Sequence, residues 1–209
     1  MNIMVIGGSR GIGKEVVSYG LDCGHHINVV ARYPEKIKIT HPELEVVKGD
    51  IRDPESIRHA IERVDVVCSC IGTGITFSEV TLFSEGARTL VALLKDRPEK
   101  RLIAITGIGA GDSKGHGGFL YDRVFKPLFL KTIYADKDLE ESLIKDGLEN
   151  WLIVRPAGLT NGARTGDYRV ITDYTGVTAK RISRKDVAHF VIEQAEESTL
   201  NACAPLLTY

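Results

Sequence analysis

The sequence has few of the features that mark secreted, membrane-bound or nucleic-acid-binding proteins. Its four cysteines form no CxxC pair, which favours a reducing cytoplasm. No apolar run approaches the length of a membrane span, and the first predicted strand begins next to Met1, so we expect neither a transmembrane helix nor a secretory leader. The formal net charge of -1 argues against nucleic acid or an anionic membrane as the main partner. The adjacent His25 and His26 do not have the spacing of metal ligands, and we expect no metal site.

Repeats, low-complexity tracts and linkers are also missing from the chain. Hydrophobic residues make up 43% of it and charged residues 26%, which is the ordinary balance of a soluble globular protein. A chain of 209 residues is long enough to bury a substantial core. We therefore expect a single domain over residues 1–209.

The most informative segment is a glycine-rich turn near the amino terminus. The apolar run at residues 3–7 is typical of a buried parallel strand, and an amphipathic helix is predicted to follow. Gly7 allows a sharp turn, Gly11 removes a side chain where backbone must approach a phosphate, and Gly13 lets helix and strand pack closely. The start of the helix would present N–H groups to a diphosphate. A glycine triplet placed directly between a strand and a helix predicts a dinucleotide site.

Two arginines indicate which dinucleotide is bound. An NAD-binding unit usually offers a carboxylate to the ribose 2′-hydroxyl at the end of the next strand, which is predicted here at residues 27–32. Arg32 stands at that position, and Arg10 lies inside the glycine loop. Two guanidinium groups suit a 2′-phosphate, so we predict NADP(H) as the cofactor. The alternative is that both arginines are solvated surface residues.

Strands and helices alternate along the rest of the chain. This alternation predicts an α/β fold, a doubly wound, Rossmann-type parallel sheet in the order 3-2-1-4-5-6 with a small substrate-side C-terminal region. The other elements are predicted as strands at 44–49, 65–71, 102–106 and 150–155, helices after Pro54, over 79–96, around 135–146 and after Ser183, and a short hairpin near Tyr168 to Val177.

The carboxyl ends of parallel strands meet at one edge of the sheet, where ligands bind. We therefore expect the segments that follow the strands to share one cofactor crevice, with Asp50 along its adenine edge. The predicted cofactor-binding residues are Gly7, Ser9, Arg10, Gly11, Ile12, Gly13, Arg32, Asp50, Ile51, Cys70, Ile71, Gly72, Thr73, Thr106, Gly107, Pro156, Ala157, Gly158 and Leu159.

Residues 107–133 interrupt the alternation with several glycines and then an aromatic cluster of Phe119, Tyr121, Phe125 and Phe129. Two interpretations stay open. The segment is either a mobile loop with a partly apolar wall over the reactive end of the cofactor, or a surface helix whose aromatic rings pack into the core.

Six short motifs run through most of the chain and carry a family resemblance. They are Gly49-Asp50, Ser84-Glu-Gly-Ala-Arg88, Trp151-Leu-Ile-Val-Arg-Pro156, Leu159-Thr160, Thr165-Gly-Asp-Tyr168 and Ile182-Ser-Arg-Lys-Asp-Val-Ala-His-Phe190. In this order they resemble the atypical short-chain dehydrogenase/reductases, in the NAD(P)-binding group that includes biliverdin-IXβ reductase (flavin reductase) and NmrA-like proteins. The resemblance implies a monomeric Rossmann protein that uses NADPH to reduce flavins or linear tetrapyrroles. It also implies that Thr106 lies beside the nicotinamide and that Pro156–Gly158 covers the nicotinamide ring.

Two features depart from this group. The glycine loop has the spacing of the branch of the superfamily that carries a catalytic tetrad, but the chain lacks the YxxxK pair of that tetrad. Lys137 follows Tyr134 one residue too early, and Tyr121 is followed four residues later by Phe125. The two side chains of such a pair would not stack as a proton-donating tyrosine and its pKa-lowering lysine should. A carbonyl reductase is therefore disfavoured.

Hydride transfer to a flavin or a tetrapyrrole tolerates this loss, because the cofactor and the acceptor carry the electronic burden. The protein then needs mainly to stack the two ring systems at a reactive distance. Thr106, Tyr134 and Lys137 are the predicted catalytic residues, in a secondary role such as protonation, and Asp136 is a weaker candidate. The alternative for Lys137 is a solvated helix residue.

Three functions are compatible with the dinucleotide site. We favour an NADPH-dependent reductase of a small planar acceptor, such as a flavin or a tetrapyrrole. The second hypothesis is a redox-sensing regulator of NmrA type, which binds NADP(H) without turnover and signals through a protein partner. The third, a nucleotide-sugar epimerase, is disfavoured because it requires a YxxxK pair and a larger C-terminal domain.

Overall fold

The computed structural model describes residues 1–118, 123, 128 and 130–209, which are built around a mostly parallel sheet. The strands of the described residues are β1 (Asn2–Ile6), β2 (His26–Ala31), β3 (Leu44–Lys48), β4 (Val66–Ser69), β5 (Arg101–Ile105), β6 (Trp151–Pro156), β7 (Gly158–Thr160), β8 (Arg169–Ile171), β9 (Arg181–Ser183) and β10 (Leu206–Thr208). Their helices are α1 (Gly11–Asp22), α2 (Pro54–Glu62), α3 (Leu82–Leu94), α4 (Lys131–Gly147) and α5 (Arg184–Glu197).

The main sheet has the strand order β3-β2-β1-β4-β5-β6-β10-β8. Strands β1 to β6 pair in parallel, which confirms the predicted Rossmann-type order 3-2-1-4-5-6. Strand β10 extends the sheet in parallel beside β6, and β8 closes it in the antiparallel direction. A separate pair, β7 and β9, lies in the C-terminal region.

The predicted hairpin between Tyr168 and Val177 is wrong. Residues 169–171 do form a strand, but it pairs with β10 at the carboxyl terminus, where Leu206 faces Ile171. Leu206 and Leu207 are fully buried in this arrangement. The strand at residues 169–171 therefore pairs with a distant apolar strand, and residues 172–180 contain no strand that could complete a hairpin.

Both faces of the sheet are covered by helices, which explains why its central strands are apolar throughout. Ile3 and Val5 point to one face and pack with residues of α1 and α5. Met4 and Ile6 point to the other and pack with residues of α2, α3 and α4. Among the helices of the described residues, none has the combination of length and hydropathy that crossing a bilayer requires.

Two predicted helix starts are confirmed by their capping hydrogen bonds. Asp53 accepts a hydrogen bond from the backbone N–H of Glu55 at 3.2 Å, and Pro54 follows as the first residue of α2. Ser183 accepts one from the backbone N–H of Asp186 at 2.9 Å at the start of α5. Side chains of this kind satisfy N–H groups that the first turn of a helix leaves unpaired.

The buried carboxylate of Asp186 holds the C-terminal region together. It accepts hydrogen bonds from the backbone N–H groups of Thr165 and Gly166, at 2.8 and 2.9 Å, and from the hydroxyl of Tyr209 at 2.5 Å. Burial opposes the charge, but these hydrogen bonds outweigh it and lower the pKa of Asp186. One carboxylate thus joins the loop before β8, helix α5 and the residue that follows β10.

Candidate functional site

The carboxyl ends of β1, β4, β5 and β6 lie side by side in the sheet. The chain order reverses between β1 and β4, because β2 and β3 continue to one side and β5 and β6 to the other. Ligands of open α/β sheets bind outside the carboxyl ends of the strands at such a switch point. The segments that follow Ile6, Ser69, Ile105 and Pro156 therefore border the same crevice.

The three glycines of the amino-terminal turn have different structural roles. A side chain on Gly7, whose φ is +91°, would place its Cβ 2.5 Å from the carbonyl oxygen of Cys70. A Cβ on Gly13 would overlap the carbonyl oxygen of Gly7. Gly11 has a φ of +61°, but a Cβ there would meet no atom within 4 Å. Packing thus excludes side chains at Gly7 and Gly13, whereas Gly11 borders open space, which is the division of roles that the glycine motif predicts.

Helix α1 begins at this turn with its positive end facing the crevice. Arg10 precedes the helix in an extended conformation and makes no capping hydrogen bond, and the first turn contains no acidic residue. Ser9 and Arg10 are exposed, and Ile12 is half-buried against the core. An uncapped helix start attracts anions through its N–H groups and its dipole. The turn can therefore hold a phosphate against the backbone.

Arg32 and Asp50 follow the paired ends of two neighbouring strands, where Ala31 lies opposite Lys48. Arg52, a residue that sequence reasoning missed, hydrogen-bonds the Asp50 carboxylate through its backbone N–H at 3.0 Å and its guanidinium at 3.1 and 3.3 Å. These hydrogen bonds hold the pKa of Asp50 below its ordinary value, and the charge of Arg32 contributes. Because Arg52 balances the Asp50 charge, this corner of the crevice can accept a phosphate beside Arg32.

The segments after β3 and β4 contribute apolar support and exposed backbone. Ile51 is buried and packs on Gly86 of α3, and the side chain of Ile71 reaches the same glycine. Cys70 is fixed by the hydrogen bond from its N–H to the carbonyl of Ile6 at 2.8 Å. The next two predicted cofactor residues, Gly72 and Thr73, are exposed.

The turn after β6 connects three parts of the chain. The carbonyl of Pro156 accepts a hydrogen bond from Ile108, in the loop after β5, at 3.1 Å. The N–H of Ala157 donates to β10 at 2.9 Å. Gly158 and Leu159 are exposed and pair with β9. The residues predicted to cover the nicotinamide ring thus lie at the crevice edge, held from both sides.

The three predicted catalytic residues come together at the end of β5. Lys137 donates hydrogen bonds from Nζ to the carbonyl oxygens of Thr106 at 2.8 Å and Ile105 at 3.4 Å. The Tyr134 hydroxyl lies beside Gly107, where an added Cβ would approach it to 3.1 Å. Lys137 is only 7% exposed, so the interpretation of this lysine as a solvated helix residue is wrong.

Asp136, the weaker candidate, has a structural role. Its buried carboxylate accepts hydrogen bonds from the backbone N–H groups of Phe83 at 2.8 Å and Ser84 at 3.3 Å, in the first turn of α3. A carboxylate in this position caps the helix and interacts favourably with its dipole. Both carboxylate oxygens are used in this way, so Asp136 belongs to the packing of α3 against α4.

Sequence reasoning missed a buried ion pair next to Thr106. The Thr106 hydroxyl donates a hydrogen bond to Oε1 of Glu141 at 2.8 Å. Arg155 binds both oxygens of the same carboxylate, with Nε 3.0 Å from Oε1 and Nη2 2.5 Å from Oε2. Arg155 is fully buried and also contacts Asp112 and the hydroxyl of Tyr174. An arginine at the end of an otherwise apolar strand was the sequence signal that could have found this pair.

Helix α4 turns a charged face into the protein. Asp136, Lys137, Glu140 and Glu141 are all at most 7% exposed, whereas the apolar Leu139 is 41% exposed. Burial lowers the pKa of Lys137, and burial raises the pKa of Glu140 to about 8. Asp136, Lys137 and Glu141 each have hydrogen-bond partners, as burial of ions requires, whereas the buried Oε2 of Glu140 has none among the described residues.

The aromatic cluster of the sequence lies outside the described residues. Phe119, Tyr121, Phe125 and Phe129 all belong to the gaps between residues 118 and 130. The choice between an apolar wall and packed aromatic rings therefore stays open. The described start of this segment is fastened to α4, because Gly111 donates its N–H to Asp138 at 2.8 Å.

Comparison with known proteins identifies the family to which the chain belongs. A model of the NAD(P)H-binding family matches residues 7–198, from the glycine turn to the end of α5. The chain belongs to this family. Membership confirms the prediction of a nicotinamide dinucleotide cofactor, and it agrees with the resemblance to the NAD(P)-binding, atypical group of short-chain dehydrogenase/reductases.

Similar proteins cover nearly the whole chain. The Bacillus subtilis protein YhfK, described as an uncharacterized sugar epimerase, is 30% identical over 203 aligned positions, which cover 94% of this chain and 89% of YhfK. The anaerobillin reductase ChuY from Escherichia coli O157:H7 superposes with a TM-score of 0.78 at 21% identity, covering 100% of this chain and 97% of ChuY. A short-chain dehydrogenase/reductase from Veillonella parvula in complex with NADP gives a TM-score of 0.81 at 16% identity, covering 100% and 94% of the two chains. At these identities the two solved structures show that this chain shares their fold.

Proposed function

We propose that the chain is an NADPH-dependent reductase that passes hydride to a flavin or another planar, electron-poor acceptor such as a tetrapyrrole. The observation that carries this proposal is a set of exposed apolar side chains around the crevice. In the loop after β4, Ile75 and Phe77 are 60% and 76% exposed, and in strand β7 Leu159 is 38% exposed. Large apolar side chains exposed around a cleft are typical of a site for an apolar ligand. A planar ring system bound between these segments would cover them.

The choice of NADP(H) over NAD(H) rests on Arg10 and Arg32. Both are exposed, and among the described residues neither has an ion-pair partner. Each guanidinium can therefore pair with a 2′-phosphate without breaking an existing salt bridge. The open space beside Gly11 fits the other requirement of the cofactor, a diphosphate held close to the backbone.

The residues at the end of β5 position the two ring systems and supply a proton to the reduced acceptor. NADPH, when bound, supplies the hydride. Lys137 holds the backbone carbonyls of Ile105 and Thr106 and so fixes the strand end on which the two ring systems would stack. Tyr134, whose hydroxyl lies beside Gly107, is the proposed proton donor to the reduced acceptor.

An anaerobic assay of NADPH oxidation tests the reductase. Purified protein is mixed with NADPH and either FMN, riboflavin or biliverdin, and absorbance of the reduced nicotinamide is followed against a protein-free control. Anaerobic conditions prevent oxygen from recycling the reduced flavin. We expect oxidation that depends on both protein and acceptor. Tight binding of NADPH in calorimetry without turnover of any acceptor would refute the proposed reductase activity.

That negative outcome would favour the second candidate, a redox-sensing regulator of NmrA type. One observation supports it: Nζ of Lys137 binds backbone carbonyls, so this lysine does not serve a tyrosine as the lysine of a YxxxK pair does. A sensor would bind NADP⁺ and NADPH with different affinities, and calorimetry with the two forms measures this directly. No binding of either form would exclude both candidates.

A further inference from the structure

The Thr106 hydroxyl belongs to a buried triad with Glu141 and Arg155. Glu141 is 1% exposed and Arg155 is 0% exposed, so protein groups, not solvent, determine their hydrogen bonding. Arg155 binds the Glu141 carboxylate through two donors, at 3.0 and 2.5 Å. A guanidinium that pairs in this two-pronged way keeps the carboxylate ionised, because removing either charge would leave the other buried alone. Glu141 is therefore a hydrogen-bond acceptor only.

The number of available protons then determines whether the Thr106 hydroxyl donates or accepts a hydrogen bond towards a ligand. A threonine hydroxyl has one proton and two lone pairs, and an ionised carboxylate has no proton to give. The 2.8 Å hydrogen bond between Thr106 and Glu141 must use the hydroxyl proton. The backbone carbonyl of Thr106 is already bound by Lys137. What the Thr106 hydroxyl can offer to a ligand is a lone pair of its oxygen, and not a proton.

We infer that Thr106 is a hydrogen-bond acceptor in the crevice, and that the ligand group bound to it carries an N–H. Arg155 and Glu141 are positioning residues, because they orient the Thr106 hydroxyl so that it accepts a hydrogen bond from the ligand. The inference rests on the proposed function for the identity of the ligands. It excludes Thr106 as the proton donor of the reaction and as a partner for a substrate carbonyl oxygen.

Two parts of the proposed ligands carry a suitable N–H. One is the carboxamide of the nicotinamide ring, and the other is a ring N–H of the planar acceptor, such as N3–H of a flavin. Both would reach the carboxyl end of β5, since Thr106 follows Ile105 directly at that edge. To decide which of the two groups binds Thr106, each is tested with a pair of ligands, one that has the N–H and one that lacks it.

The coenzyme pair is NADP⁺ and its 3-acetylpyridine analogue, in which a methyl group replaces the carboxamide NH₂. Binding is measured by calorimetry, without turnover, to wild-type protein and to Thr106→Val, which keeps the side-chain shape but has no acceptor. We expect wild type to bind NADP⁺ about tenfold more tightly than the analogue, the worth of one hydrogen bond. In Thr106→Val this preference should disappear, because NADP⁺ alone loses affinity.

The acceptor pair is riboflavin and N3-methylriboflavin, measured in the same way with the coenzyme present. A preference for riboflavin that Thr106→Val removes would assign the N–H to the acceptor. Equal preferences in wild type and variant for both pairs overturn the inference. If Thr106→Val does not fold, Thr106→Ala takes its place, because it only removes atoms. If Thr106→Val removes the preference for NADP⁺ over its analogue but no acceptor is turned over, the proposed reductase is refuted and the inference about Thr106 stands. If an acceptor is turned over but Thr106→Val changes neither preference, the reductase stands and the inference is refuted.

Glu141→Gln tests the positioning role separately. The amide of glutamine can keep its oxygen on Nη2 of Arg155 and donate an N–H to Thr106, which turns the hydroxyl proton towards the crevice at the cost of the hydrogen bond from Nε of Arg155. The ligand preference should then reverse, so that the affinity for the acetyl analogue rises relative to the affinity for NADP⁺. A purely structural role would weaken both ligands equally and would contradict this assignment. Ser142→Ala, an exposed neighbour on α4 whose hydroxyl bonds Asp146, is the control and should leave the preference unchanged.

Discussion

The carboxylate of Asp136 accepts a hydrogen bond from the backbone N–H of Phe83 at 2.8 Å, so helix α4 caps the start of helix α3. The residue at the N-cap position of α3, Thr81, makes no side-chain capping bond of its own. Asp136 therefore replaces a local cap with one from 53 residues away. The contact couples two helices that cover the same face of the sheet.

Replacing Asp136 by alanine should lower the free energy of unfolding by about 2 kcal/mol, because it leaves buried N–H groups of α3 without an acceptor. Urea unfolding followed by circular dichroism measures the loss. Asp136→Asn keeps one carbonyl oxygen and should lose less. Asp53→Ala, which removes the exposed cap of α2, is the control at about 1 kcal/mol. A smaller loss for Asp136→Ala than for Asp53→Ala would contradict the coupling.

Gly13 and Gly11 should respond differently to alanine. A Cβ on Gly13 would overlap the backbone of Gly7, which cannot move without shifting β1, so we expect a loss of about 3 kcal/mol in unfolding free energy. Gly11 has space for a Cβ, and its φ of +61° costs about 1 kcal/mol for an alanine. Gly11→Ala should instead weaken NADP⁺ binding in calorimetry by occupying the open space. Similar stability losses for the two variants would argue against the separate roles.

Arg32→Ala should raise the Michaelis constant for NADPH and leave that for NADH nearly unchanged. The lost interaction is a charge-assisted hydrogen bond to the 2′-phosphate, which is worth about 1.5–3 kcal/mol, or roughly 10- to 150-fold. Arg32→Lys keeps the charge and should fall between alanine and wild type. Arg58→Ala, which removes an exposed arginine paired with Glu55 on α2, is the surface control. Equal effects of Arg32→Ala on both coenzymes would refute the assignment.

Glu140→Gln should make stability less dependent on pH. Burial raises the pKa of Glu140 from 4.5 to about 8, whereas nearby Lys137 lowers it and Glu141 and Asp136 raise it. Between these two values the unfolded chain ionises Glu140 while the folded protein keeps it protonated, so wild type loses stability as pH rises from 4.5 to about 8. Glutamine cannot ionise. The stability of the variant relative to wild type should therefore increase as the pH rises over this range.

Urea unfolding of both proteins at several pH values measures the difference. The exposed Glu149→Gln is the control, and its curve should follow that of wild type. A stability difference between Glu140→Gln and wild type that stays constant from pH 5 to pH 8 would show that Glu140 does not titrate in this range.

The glycine turn and the order of the central strands were predictable from sequence because both depend on local patterns. Gly7, Gly11 and Gly13 lie in one short segment at the start of α1, and the apolar strands repeat at regular intervals with helices between them. The pairing of the strand at residues 169–171 was not predictable, because its partner strand at Leu206 is more than thirty residues away in the chain. A local turn pattern carries no information about a distant strand that competes for the same pairing.

By itself the sequence determined the α/β fold, the strand order and the nicotinamide dinucleotide as the cofactor. Only the tertiary structure showed that α4 buries Lys137 and Glu141 while exposing Leu139, and that Arg155 holds the carboxylate next to Thr106. Hydropathy patterns assume that charges face water. A charge can be buried when another segment supplies its partner, and which segment does so is decided by contacts between distant parts of the chain.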